Sequence, residues 1–90
     1  MSDAQRTVTI GSSVGLHARP ASLFVQSVTA TGHTVTLAKG GKAVNASSIL
    51  GVLGLAVGAG EEVELTVSGD DAEKVADELA GLLSSDLDAA

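Results

Sequence analysis

Polar and apolar residues alternate through Thr7-Val8-Thr9-Ile10, Thr34-Val35-Thr36-Leu37 and Glu62-Val63-Glu64-Leu65-Thr66-Val67, the pattern of strands that bury one face. A fourth short strand, Ala43-Val44-Asn45-Ala46, follows Lys39-Gly40-Gly41-Lys42, whose glycine pair predicts a hairpin with the strand before it. Between these runs the period lengthens. Phe24, Val25 and Val28 recur at helical spacing and predict a helix over about residues 18–29, ended by Ala30-Thr31-Gly32. Ser48-Ile49-Leu50-Gly51-Val52-Leu53-Gly54-Leu55 predicts a short helix capped by Ser47 or Ser48. Ala72, Val75, Ala76, Leu79 and Leu83 form one stripe of a last amphipathic helix, with Asp70 or Asp71 as its cap.

The order is thus strand, helix, strand, strand, helix, strand, helix. Strands with a single apolar face need helices on one side only, which predicts an α+β layer sandwich with an antiparallel sheet. The expected core is Val8, Ile10, Ala21, Phe24, Val25, Val28, Val35, Leu37, Val44, Val63, Leu65, Val67, Val75 and Leu79. Ninety residues suit one domain, 1–90, and neither linker nor internal repeat interrupts it.

Composition removes several function classes. Hydrophobic residues make up 44% of the chain but Phe, Trp and Tyr only 1%, so Phe24 is the one ring expected in the core and stacking on nucleic-acid bases is not expected. The absence of cysteine excludes disulfides, thiol catalysis and cysteine-based metal sites, and suits a reducing compartment. The first six residues lack the apolar run of a signal peptide, and the apolar window 43–59 is broken by Asn45, Ser47, Ser48 and glycines, so a cytoplasmic protein without membrane insertion is expected. The net charge of −6 disfavours nucleic acid as a partner. Its distribution is uneven. Residues 1–60 carry Arg6, Arg19, Lys39 and Lys42 against Asp3 alone, net +3, whereas residues 61–90 carry Lys74 against ten acids, net −9. The half containing His17 is therefore expected to be poor in carboxylates, which suits an anionic adduct.

The chemistry concentrates in Gly15-Leu16-His17-Ala18-Arg19-Pro20. Loop-forming residues precede it and helical periodicity follows, so His17 is expected at or beside the N-cap of the first helix. A phosphoryl group on its ring would there meet backbone N–H groups that have no intrahelical acceptor. Imidazole titrates near pH 6.5 and is largely an unprotonated nucleophile at neutral pH. Arg19 adds a planar guanidinium that can hold phosphate oxygens in its fork, and Pro20 fits a first helical turn. The His-x-Arg triplet alone is a weak signal. His33, between Gly32 and Thr34, has no partner nearby in sequence and is expected to be a solvated surface histidine. Two histidines without clustered carboxylates do not make a metal site.

Together these pieces resemble the HPr family, the histidine-containing phosphocarriers of the bacterial phosphoenolpyruvate:sugar phosphotransferase system. Residues 15–20 match the family's phosphohistidine signature, and Val44-Asn45-Ala46-Ser47-Ser48-Ile49-Leu50-Gly51-Val52 resembles its second signature, around a regulatory serine. The resemblance implies an open-faced β-sandwich with a four-stranded antiparallel sheet and three helices on one face. It implies a monomeric, stoichiometric phosphoryl carrier and not a turnover enzyme, with no metal or organic cofactor. His17 would accept the group on Nδ1 from enzyme I and pass it to the A components of sugar-specific enzymes II. Arg19 would steady it, together with the backbone N–H groups of Ala18 and Arg19.

Further roles follow from the same resemblance. Ser48 would be the target of an HPr serine kinase, whose product recruits a transcriptional regulator; Ser47 stands where that motif commonly has lysine. Ile49, Leu50 and Leu53 cannot all face inward from one short helix, and the family places partner docking there. Gln26 and Thr29 replace lysines of some relatives, so partner affinity is expected to lean on apolar contact. Three alternatives stay open: a nitrogen-branch regulatory carrier, a binding module acting through the Ser48 surface, and an acylphosphatase-like hydrolase, for which no phosphate-cradling loop is visible.

Overall fold

The computed structural model describes residues 3–11, 15–16 and 18–85. In chain order they form β1 (Asp3–Thr9), α1 (Ala18–Thr31), β2 (Thr34–Lys39), β3 (Lys42–Asn45), α2 (Ile49–Gly54), β4 (Glu62–Ser68) and α3 (Ala72–Ser84). One sheet of order β1-β4-β2-β3 results, antiparallel throughout. The β2–β3 hairpin turns on Gly40 and Gly41 at φ +57° and +85°. A two-residue turn compatible with strand twist needs positive φ at both central positions, which explains the glycine pair.

Register sorts the side chains. Val63, Leu65 and Val67 of β4 are buried, with Val8 and Ala4 opposite on one side and Leu37 and Val35 on the other. On the reverse face Gln5, Thr66, Thr36 and Asn45 stand in one row across all four strands. Among the described residues only the apolar face is roofed, by Pro20, Ala21, Phe24 and Val28 of α1 and by the complete expected stripe of α3. Burying Phe24, whose side chain is fully enclosed, contributes roughly 1.5–3 kcal/mol of hydrophobic stabilisation.

Some boundaries differ from expectation for identifiable reasons. β1 begins at Asp3, four residues early, because Asp3–Arg6 pair with Leu65–Ser68 even though Ala4 is small and Arg6 polar. Arg6 occupies an inward position and escapes burial by extending its Nε to Asp77 Oδ1 of α3, at 2.8 Å. Val25 and Val44 are only partly buried, and Leu16, Val52, Leu55 and Val57 complete the core in their stead. Asp71 holds the N-cap position of α3 in a left-handed conformation, φ 58°, without a side-chain capping bond. Ser48, not Ser47, caps α2.

Candidate functional site

α1 opens at Ala18, the residue after His17 in the chain, so the expected helix start is met; His17 itself lies outside the described residues. Ala18 and Arg19 are exposed and Pro20 is buried. The first backbone N–H groups of a helix have no intrahelical acceptors, and Pro20 has none to offer, so Ala18 and Arg19 supply the leading donors. No acid occupies this first turn, which leaves its positive dipole end uncompensated by a carboxylate of its own.

The approach to α1 is tightly held. Gly15 is buried at φ +76°, and a Cβ there would lie 2.5 Å from Val57 O and 2.9 Å from Gly58 Cα. Only glycine satisfies both conditions. Leu16 is buried, and its N–H donates to Val57 O at 2.9 Å. The connection between α2 and β4 is thus the wall against which Gly15 and Leu16 pack.

That wall has its own fastening. Lys39 Nζ, at the end of β2, donates to Ala56 O at 2.9 Å and to Glu61 Oε1 at 2.9 Å. Glu61 Oε1 also accepts from the backbone N–H of Gly58. The lysine first, and the Gly58 amide next, hold the Glu61 carboxyl below its ordinary range. Nothing in the sequence signals this cluster, because Lys39 is 17 residues from Ala56 and 22 from Glu61. It also corrects the picture drawn from the two charge halves. Arg6 pairs with Asp77 and Lys39 with Glu61, so two of the ten acids of the second half fold back onto cations of the first, Glu61 beside the approach to α1.

The second signature forms a turn and a short helix beside α1. Asn45 Oδ1 accepts from the N–H of Ser47 at 2.9 Å and from its hydroxyl at 2.7 Å, closing the turn after β3. Ser48 is exposed, and its Oγ accepts from Gly51 N at 3.2 Å, the expected N-cap bond. The helix then distributes its apolar residues. Val52 is buried, Ile49 and Leu53 are half-buried against the core, and Leu50 is 80% exposed. Leu23 of α1 is the other large apolar side chain exposed among the described residues; it lies off the buried stripe of Ala21, Phe24 and Val28, and its place on the helical period is the signal that marks it.

His33 departs from expectation. It is half-buried, its Nδ1 is 2.8 Å from Thr31 O, and its Nε2 meets Asp70 O across 37 residues of chain. Two acceptors on one ring favour the imidazolium, which has two donors. The Asp70 carbonyl first and the Thr31 carbonyl second raise its pKa above 6.5. Among the described residues no group of three His, Cys, Asp or Glu side chains is placed to hold a metal, and no helix is long and apolar enough to cross a membrane.

Comparison with known proteins agrees with this arrangement. Residues 4–85 match the family model described as the phosphotransferase-system HPr component phosphorylation site. The chain is 49% identical over 86 residues to the phosphocarrier protein HPr of Streptomyces coelicolor, covering 94% of this chain and 92% of that one. It is 41% identical over 83 residues to the HPr-like protein Crh of Bacillus subtilis, covering 92% and 98%. The crystal structure of an HPr from Bacillus anthracis superposes with a TM-score of 0.87 at 38% identity, covering 92% of this chain and 99% of that one. By family model, by relatives and by fold, the chain belongs to the HPr family, the phosphocarriers of the phosphotransferase system.

Proposed function

We propose that this chain carries a phosphoryl group on His17, accepting it from phospho-enzyme I in the cytoplasm and delivering it to the A components of sugar-specific enzymes II. The observation that carries this is the start of α1 at Ala18 within Gly15-Leu16-His17-Ala18-Arg19-Pro20. In the transfer a lone pair of the His17 ring forms the N–P bond as the donor's bond to phosphorus breaks and its electrons leave with the donor. No separate base is needed, because the neutral imidazole already has a free lone pair.

The amides of Ala18 and Arg19 donate to the phosphoryl oxygens, and the Arg19 guanidinium neutralises part of the added charge. Partial neutralisation suits a carrier. The group must be held long enough to travel between partners and still leave readily in either direction. Leu50, with Ile49 and Leu53 beside it on α2, provides the apolar docking surface, and α2 packs against the helix that carries Arg19. Incubation with enzyme I and phosphoenolpyruvate should yield an acid-labile, alkali-stable phosphoadduct on the wild-type chain and none on His17→Ala. An adduct that persists in the variant overturns the assignment.

The likeness to Crh, described as the catabolite repression HPr of Bacillus subtilis, supports a second reading, a regulatory binding module acting through Ser48. A phosphate there would enter at the start of α2, where negative charge is tolerated by the helix but repels an acidic partner. An HPr serine kinase with ATP then labels Ser48, and Ser48→Ala abolishes the label. A chain labelled on Ser48 that takes no group on His17 from enzyme I favours this reading over the carrier.

A further inference from the structure

We propose that Lys39 and Glu61 are positioning residues for phosphoryl transfer, holding the connection between α2 and β4 in the one arrangement that sets Gly15 and Leu16, and through them the next residue in the chain. This rests on His17 being the phosphoryl acceptor. Three observations carry it, each on a different link between the ion pair and the start of α1.

The first is that the connection is not at rest by its own preference. Ala56 stands at φ 53°, a left-handed conformation in which the Cβ crowds the following carbonyl. The bond from Lys39 Nζ to Ala56 O fastens the residue in that conformation, and the same ammonium is bound to Glu61. The second is that the far side of the connection is fastened to the same pair, through the Gly58 N–H on Glu61 Oε1. Val57 lies between the two fastened residues, and it is the Val57 carbonyl that receives the Leu16 N–H at 2.9 Å.

The third is the lack of slack. Gly15 approaches so closely that not even a Cβ fits between it and the backbone of Val57 and Gly58. A shift of that backbone therefore moves Gly15 and Leu16 or breaks their contact with it. The ion pair itself is partly exposed, its side chains at 27% and 44%, and pairs of that kind add little to overall stability. Its removal should leave the fold standing while the approach to α1 loosens.

The test uses Lys39→Met, Glu61→Ala, the double variant and Lys39→Arg, with phosphoryl transfer from enzyme I followed at varied carrier concentration. A sub-ångström displacement of a reacting group predicts a kcat lowered about 10-fold, against about 100-fold for a full ångström, with KM within about twofold of wild type. The double variant should be no slower than the slower single variant, because the pair acts as one unit. Lys39→Arg, which keeps donors for both Ala56 O and Glu61, should recover most of the rate. Hydrogen exchange at the Leu16 amide should quicken about 10-fold in the two single variants while the amides of Val28 and Leu65 keep their protection. Wild-type kcat and wild-type Leu16 exchange in both single variants would overturn the positioning role and leave the carrier assignment intact. A wild-type chain that takes no group on His17 would overturn the carrier assignment and this role with it.

Discussion

Alanine at Gly15 and alanine at Gly32 separate two contributions that usually act together. Both glycines have positive φ, +76° and +70°, so each substitution forces an L residue into the left-handed region at a cost of roughly 1–2 kcal/mol. Gly32 has nothing within 4 Å of its added Cβ, so that cost is the whole of its effect. At Gly15 the Cβ meets Val57 O at 2.5 Å and Gly58 Cα at 2.9 Å, both backbone atoms that cannot rotate aside. Overpacking of this kind adds about 1–3 kcal/mol. Gly15→Ala should therefore lose about 1–3 kcal/mol more than Gly32→Ala and still fold, since domains of this class have about 5–15 kcal/mol in hand. In urea the extra loss lowers the midpoint by roughly 1 M at an unchanged m value, for m of about 1–3 kcal/mol/M. Phosphoryl acceptance should fall for Gly15→Ala and stay at the wild-type level for Gly32→Ala. Equal midpoints for the two variants would mean that the Val57–Gly58 backbone yields freely, and the link from that connection to Leu16 would fail with it.

Substitutions at His33 and Leu50 test two further contacts. The pKa of His33 is raised in the folded state, so its stabilising contribution is fully present below the ordinary value of 6.5 and disappears as pH rises through the folded value. Wild type should thus lose stability across that window relative to His33→Gln, and parallel stability-pH curves for the two would refute the paired carbonyl contacts. Leu50→Ala should leave the melting temperature within about 4 °C, as substitutions on the surface change stability by only about 0.5 kcal/mol. It should raise the KM of the carrier toward enzyme I by roughly 10-fold, the loss expected when most of a leucine's burial of about 1.5–3 kcal/mol is removed from an interface. Because this contact is apolar, added salt should weaken the complex only modestly; a steep salt dependence would shift the affinity to charge.

Local periodicity made much of the molecule legible. The alternation of Glu62-Val63-Glu64-Leu65-Thr66-Val67 could only be a strand with one wet face, and the stripe Ala72, Val75, Ala76, Leu79, Leu83 could only be a helix lying on it. The start of α1 could be read from the loop formers before His17 and the helical spacing after it, and the phosphohistidine signature lies on that boundary. Each of these is a property of neighbours in the chain, and neighbours interact whatever the topology. The contacts that escaped have a different origin. β4 lies between β1 and β2, and the register that sets Ala38 across from Glu64 brings the end of β2 to the start of β4. Lys39 thereby reaches Glu61, and α3, packed on the same sheet, carries Asp77 to Arg6 and, at its mouth, the Asp70 carbonyl to His33. Composition and spacing hold no trace of such pairings, because they join residues separated by tens of positions, and it is strand order and register that choose the partners.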